Sequence, residues 1–406
     1  MIESSAFTSV IPNVLSFAYI LIIFIAPIML GFACFESYIM WKRNKFIQSQ
    51  PTVLLEIKLP QEIMKSPVAM ELFLTALYQT KGEGTWVARL VDGKVRPWFS
   101  LEIVSIGGDI RFFIWCWKFW KPLIESQLYA QYPDVEIKEA EDYASQFHFD
   151  PSKNDLWATN FKLGKPACYP IKSYTDYSLE KDPKEEFKVD PMTPMLEYLG
   201  GLRQGEQAWI QIILRAHKKE LPKHGGKRGE KVDWSHAAEA EIKKIKSKDI
   251  QQVEAIKLTG MSLSRGEKEQ IEAIERNISK TPFDCGIRAL YIAETDRFND
   301  INIAGLSGSF RQYGSNNLNK FEGDHTTGFD YKWQDWSGKK LLKQKEHMLH
   351  SYQARSYFHA PDKGHFFVMN TESIATIYHF PGQVAKTPTL ARIQAKKSEP
   401  PANLPI

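Results

Sequence analysis

From Ser4 to Phe35 the chain carries no charged residue, and the centre of that stretch, Val14 to Leu30, is strongly apolar. About 20 apolar residues cross the hydrocarbon core of a bilayer as a helix, the form in which every backbone polar group is satisfied inside the segment. Pro27 lies within the run, and membrane helices tolerate proline better than soluble ones do. Lys42, Arg43 and Lys45 follow it, whereas only Glu3 precedes it. The positive-inside rule then predicts a retained single-pass anchor with the body of the chain in the cytoplasm, and Tyr38 and Trp41 suit the headgroup level. A cleaved signal peptide needs a basic leading region and a short apolar core; here the lead is acidic and the run is long. The four cysteines, Cys34, Cys116, Cys168 and Cys285, lie far apart with no C-x-x-C pair. That suits a reducing compartment and argues against a zinc ribbon, an iron–sulfur cluster or a disulfide scaffold.

With residues 1–46 assigned to the anchor and its basic flank, hydrophobic period divides most of the remainder into two α+β modules. In residues 47–150, VLLEIKL (53–59) alternates as a strand and SPVAMELFLTALYQ (66–79) has helical spacing. FSLEIVSI (99–106) and DIRFFIWCW (109–117) flank a Gly107-Gly108 turn as a hairpin. KPLIESQLYAQ (121–131) makes a second helix and VEIKEAE (135–141) a fourth strand. The order βαββαβ is the ferredoxin-like split unit. Residues 151–380 repeat it, with strands at 156–163, 208–215 and 287–293, helices at 191–202 and 299–313, and late strands at 355–358 and 366–369. A polar block at 216–282 interrupts this second ferredoxin-like module and reads as a helical hairpin, broken near 259–266. Residues 381–406 hold Pro381, Pro388, Pro400, Pro401 and Pro405 and read as an extended linker or tail.

Motifs for chemistry are sparse. A phosphate-binding loop requires G-x-x-x-x-G-K-[ST]. The nearest match, Gly323-Asp-His-Thr-Thr-Gly328, is followed by Phe329-Asp330 instead of Lys and a hydroxyl. His347 and His350 lie three apart on one face of an expected helix that also holds Glu346, but with no nearby Cys or third ligand they read as a solvated surface. His359, His365 and His379 read as ordinary hydrogen-bonded histidines. No catalytic residue, metal ligand or cofactor is therefore expected.

Two features suit binding. If Phe112, Ile114 and Cys116 face the helices, then Arg111, Phe113, Trp115 and Trp117 line the opposite sheet face, where RNA-recognition modules of this topology stack bases. Glu56, Glu102 and Glu136 join that face and repel phosphate, so burial against the second module or a partner is the stronger expectation. The second feature is a basic loop with Lys218, Lys219, Lys223, Lys227, Arg228 and Lys231, which suits anionic lipid or nucleic-acid phosphates. The net charge of +4 is too small to identify a nucleic-acid binder by itself.

Three stretches carry a resemblance: residues 52–86 with 95–115, residues 125–143, and the tail IYHFPGQVAKTPTLARIQAKKSEPPANLP (377–405). PFDCGIRALYIAE (282–294) fits the same region. Together they resemble the N-terminal, membrane-anchored, non-motor region of ATPases similar to those of type IV secretion and conjugative DNA transfer in uncultured small-genome bacteria. In such relatives the proline-bearing tail leads into a motor domain with a phosphate-binding loop, and this sequence has no such loop. The resemblance thus implies a non-catalytic scaffold or accessory subunit at the bacterial inner membrane, lacking the ATPase domain. Its implied partners are the membrane, a separate hexameric ATPase and further copies of itself. The alternative is a single-stranded nucleic-acid-binding module that uses the sheet face.

Overall fold

Strand alternation sends successive residues of one large sheet into two different surroundings, and both prove to be covered. The computed structural model describes residues 3–60, 63, 65–177, 189–218, 234–255, 264–329, 331–359, 363–382 and 392–393. Residues 1–50 with 81–96 form one compact unit, and residues 51–80 with 97–406 the other.

In the first unit, helix α1 (Glu3–Ser49) carries the uncharged run. Its part from Ile23 to Ser49 is long and apolar enough to cross a membrane, and Phe24, Ile28, Met29 and Phe32 stand exposed on it. The short helix α3 (Trp86–Leu90) begins where Thr85 accepts a hydrogen bond from the Ala88 N–H. Gly93, at φ +67°, passes so close to α1 that a Cβ would lie 2.5 Å from the Lys42 carbonyl oxygen, so glycine meets both a steric and a conformational demand there.

The second unit is built on a ten-stranded sheet. Strands β1 (Thr52–Pro60), β2 (Phe99–Ile106), β3 (Asp109–Trp117) and β4 (Glu136–Ala140) stand in the order β4-β1-β3-β2, each pair antiparallel. Strands β5 (Asn154–Leu163), β6 (Glu206–Ala216), β7 (Pro282–Glu294) and β8 (Phe321–Asp324) stand in the matching order β8-β5-β7-β6, also antiparallel. Strands β2 and β6 then pair with each other, from Phe99↔Leu214 to Ile106↔Gln207, and fuse the halves edge to edge. The fusion pairs the backbone of two strands that would otherwise be sheet edges open to wrong partners. Two short strands, β9 (Phe367–Asn370) and β10 (Arg392–Ile393), add to β7 and β1.

One face carries helices α2 (Val68–Ala76), α4 (Lys121–Gln131), α6 (Thr193–Gly200), α9 (Asp300–Gly308) and α11 (Thr371–Ile377). Phe73, Ile124, Leu196, Leu306 and Ile374 from these helices share one apolar core with Leu101, Phe112, Ile210 and Ile287 from the strands. Burial of this kind stabilises by about 25 cal/mol per Å² of apolar surface removed from water. The predicted insertion is present as α7 (Trp234–Ala255) and α8 (Arg265–Ser279), which pack through Ala238, Ile245, Ile271 and Ile274 around Cys168. Residues 259–263 of its predicted break lie outside the described residues.

The other face is covered by α5 (Tyr143–Gln146), α10 (Lys339–Gln353) and the turn that follows α10. Here the sequence reading needs a correction. Residues 355–358 are not a strand: Arg355 adopts φ +47° in that turn and directs its guanidinium onto the sheet. Its Nε and Nη2 donate to the two Glu102 carboxylate oxygens at 3.1 and 3.2 Å, and Nη1 and Nη2 donate to Asp142 at 2.5 and 2.8 Å. Ser100 and Tyr143 hydroxyls also donate to Glu102, at 2.6 and 2.7 Å.

From Glu102 a row of polar side chains crosses the sheet in register, Glu102↔Gln211↔Arg288↔Asn160. The Gln211 amide donates to Glu102 at 2.9 Å, and Arg288 donates to Gln211 at 3.4 Å and to Asn160 at 3.0 Å. Arg355→Met would leave Glu102 buried beside Asp142 without its cation, and breaking a buried pair in this way costs about 3–5 kcal/mol. The denaturation midpoint of the detergent-solubilised chain should fall accordingly, and an unchanged midpoint would show that the pair does not hold the fold.

Candidate functional site

Phe113, Trp115 and Trp117 point away from the helix-covered core, as the alternation predicts, but they do not form an open surface. Trp98 packs against Trp115 and Trp117 with ring centroids 6.3 and 5.2 Å apart, and Tyr143 lies 5.0 Å from Phe113. All three rings are buried. Arg111 alone of the four reaches solvent, paired with Asp109 at 2.7 Å. Glu102, expected to repel phosphate on that face, is fully buried in the polar row.

Of the basic loop, Lys218 is described just beyond β6, while Lys219, Lys223, Lys227, Arg228 and Lys231 lie outside the described residues. Lys42, Arg43 and Lys45 fall near the end of α1, where Lys42 and Lys45 lie over the Trp41 ring at 5.7 and 5.4 Å. His379 is a core histidine, with Nδ1 2.8 Å from the Ala375 carbonyl and Nε2 3.3 Å from Asp190. Burial by itself would raise the Asp190 carboxyl, but His379 and the Met192 N–H together hold the group below the usual carboxylate range.

The polar row ends on the residue pair Asn160↔Asp324, and there the chain makes its most chemically distinctive cluster. Asp324 closes β8. His325 follows at φ +51°, an uncommon conformation for a residue other than glycine. His365 arrives from the segment before β9. His325 Nδ1 lies 2.9 Å and His365 Nδ1 3.2 Å from the same Asp324 oxygen, Oδ2, while Oδ1 faces Lys162 Nζ at 3.9 Å. Partial burial would raise the Asp324 carboxyl, but hydrogen bonds to His325 and His365 hold it below the ordinary range.

The loop is fixed from beneath. Thr327 exchanges hydrogen bonds with the backbone of Ala158, and Thr326 and Thr159 hydroxyls meet at 2.8 Å. His325 also lines a cleft of about 480 Å³ with Phe329, Lys340, Lys343, His347 and Met348. His347 thus reaches the cleft from α10, whereas His350 is exposed further along the same helix. The Gly323–Gly328 stretch drew notice in the sequence only as a failed phosphate loop. Its pairing with His365, forty positions away, has no spacing signature.

Residues 44–392 match the family described as Domain of unknown function (DUF8128). That covers most of the chain, which therefore belongs to this family. No curated protein matches it.

Burial sets the chemistry of the thiols. It raises Cys116 to about 12 and Cys168 to about 11, with Glu125 and Glu241 respectively adding to the effect. The fully buried Cys285 is raised well above its ordinary value. The thiolate is the reactive form, so none of the three is a ready nucleophile. In native membranes at pH 8 a charged thiol reagent should leave Cys116, Cys168 and Cys285 unmodified and should reach all three after denaturation. Peptide mass mapping reads each position, and rapid native labelling of Cys116 or Cys285 would contradict the packing.

Proposed function

We propose that this DUF8128 member is a non-catalytic, membrane-anchored scaffold that holds a separate hexameric ATPase of a type IV secretion or DNA-transfer machine at the bacterial inner membrane. The observation that carries the reading is the combination, in one chain, of an exposed apolar helix of membrane-spanning length with a sheet whose halves are fused by β2 and β6. The repeated fourth-first-third-second strand order is read as two ferredoxin-like modules, the second carrying α7 and α8 as its insertion. Lys42, Arg43 and Lys45 favour a cytoplasmic body. The sequence likeness of 52–86 with 95–115, 125–143 and 377–405 supplies the link to transfer motors.

A nucleic-acid module would need Phe113, Trp115 and Trp117 free to stack on bases. Their burial beneath Trp98 and Tyr143 favours the scaffold reading instead.

The test is affinity capture of the tagged full chain from native membranes, read by mass spectrometry. The expected result is a carbonate-resistant membrane protein that brings down a distinct ATPase chain bearing a phosphate-binding loop. Capture of nucleic acid or unrelated envelope proteins without an ATPase would overturn the reading. So would robust nucleotide turnover by the purified chain alone.

A further inference from the structure

We propose that Asp324, His325 and His365 bind one divalent transition-metal ion of the zinc class, with its remaining coordination position open to the adjoining cleft. Two imidazole nitrogens and one carboxylate oxygen form a ligand set that this borderline-soft class accepts, and three protein ligands with one open position is the pattern of zinc sites that take an exogenous ligand. The geometry is close to ready. Ligand bonds of about 2.0–2.1 Å in a tetrahedral site place the ligand atoms roughly 3.3 Å apart. The two nitrogens already lie 2.9 and 3.2 Å from the Asp324 oxygen, and one donor atom from each residue falls within 4.8 Å of the others. An ion would take the place of the imidazole protons that face the carboxylate oxygen and would draw the two nitrogens, which lie within 4.8 Å of each other, toward the spacing of a tetrahedral site.

The supports are those expected around a ligand set. The carboxylate stands at a strand end paired to Asn160, which accepts from Arg288, so it is oriented by the rigid part of the sheet. Lys162 approaches the other carboxylate oxygen, Oδ1, and leaves Oδ2 to the metal. His325 holds a left-handed backbone conformation, and strain of this kind gathers at ligand clamps where the surroundings hold it in place. The imidazoles are 63% and 76% exposed, so an ion has an entry path from solvent. Because His325 also lines the cleft, the open position adjoins Lys340 and Lys343 as well as the apolar Phe329 and Met348. An exogenous ligand with an anionic head and an apolar body suits those walls. The site does not rest on the scaffold reading.

The experiment titrates the chelator-stripped full chain in detergent with Zn²⁺ by calorimetry and with Co²⁺ by visible absorption. The expected result is one ion per chain, with Co²⁺ bands of a low-coordinate site. Asp324→Asn, His325→Gln and His365→Gln should each weaken binding on the order of 100-fold, since loss of even a supporting partner costs 10–100-fold. His350→Gln should leave the affinity unchanged. Both imidazoles are exposed, so their glutamine variants should unfold at the parent's temperature, and lost binding then reads ligation. Binding that survives the three substitutions, binding lost in His350→Gln instead, or no binding up to millimolar metal would overturn the proposal.

Discussion

The structure depends on a charge-balanced row of buried side chains that crosses the seam between the two half-sheets. Glu102 and Asp142 face Arg355, and Gln211 and Asn160 engage Arg288. Moving an ion out of water costs several kcal/mol even after relaxation, so such a row persists only when every member finds its partner. Glu102 accepts from Ser100, Tyr143, Gln211 and Arg355, which uses the capacity of both its oxygens. Replacing such a network with apolar residues of the same shape is often neutral for stability; its distinctive effect is on register. A slip of one residue between β2 and β6 would turn Glu102 or Gln211 into the helix-covered core. That arrangement would bury the charge among Leu101, Ile103, Ile210 and Ile212 without a partner. The observed pairing of Glu102 with Gln211 is therefore the one in which the two halves can share a sheet.

This constraint also places the cluster at Asp324. A loop has no intrinsic reason to hold two imidazoles against one carboxylate. Here the carboxylate belongs to the strand residue that follows Asn160 in the cross-sheet row, and the next two threonines are tied to β5. The loop inherits the rigidity of the row, and Arg355 and Asp324 are linked through the four strands β2, β6, β7 and β5 by ladder pairing and side-chain hydrogen bonds. Sites on strand ends are more precisely set than sites on free loops.

Much of the fold was legible because its strands follow a two-residue period. The hairpin at 99–117 and the helix at 121–131 fall at the predicted residues, and Phe112, Ile114 and Cys116 face the core as their spacing required. What the period could not show is whether the second face is open. Its cover comes from Trp98, Tyr143, Tyr352 and Arg355, up to 257 positions from what they touch. Arg355–Phe358 looked like a strand because of its aromatic content, yet the residue that decides its conformation is the arginine, through a carboxylate on a distant strand. Helix α11 was missed for a related reason. All seven of its residues are buried, including the polar Thr371, Glu372, Ser373 and Thr376, so the segment has no apolar stripe set against a polar face to mark it as an amphipathic helix. His325 and His365 carried no spacing signal because ligands gathered by tertiary structure obey no local motif.

The position of the insertion follows from the same economy. The connection between β6 and β7 is where a short hairpin would serve, and it holds α7 and α8 instead. Both strands continue beyond the row, with Ala216 paired to Phe283 at the end from which the insertion leaves. The insertion builds a small separate core with Ile245 and Ile274 packed on Cys168 from the segment after β5, and a capping box at Ser264 and Glu267 starts α8. Among the described residues none of its side chains enters the Glu102–Gln211–Arg288–Asn160 row. It is tied to the rest of its unit by its packing on Cys168, by the buried Asn277, whose amide donates to the Ala167 and Cys168 carbonyls, and by ion pairs of Arg276 with Asp176 and of Lys280 with Glu71 and Glu372. The β6–β7 register is thus fixed by the row and the ladder, while α8 docks separately against the segment around Cys168.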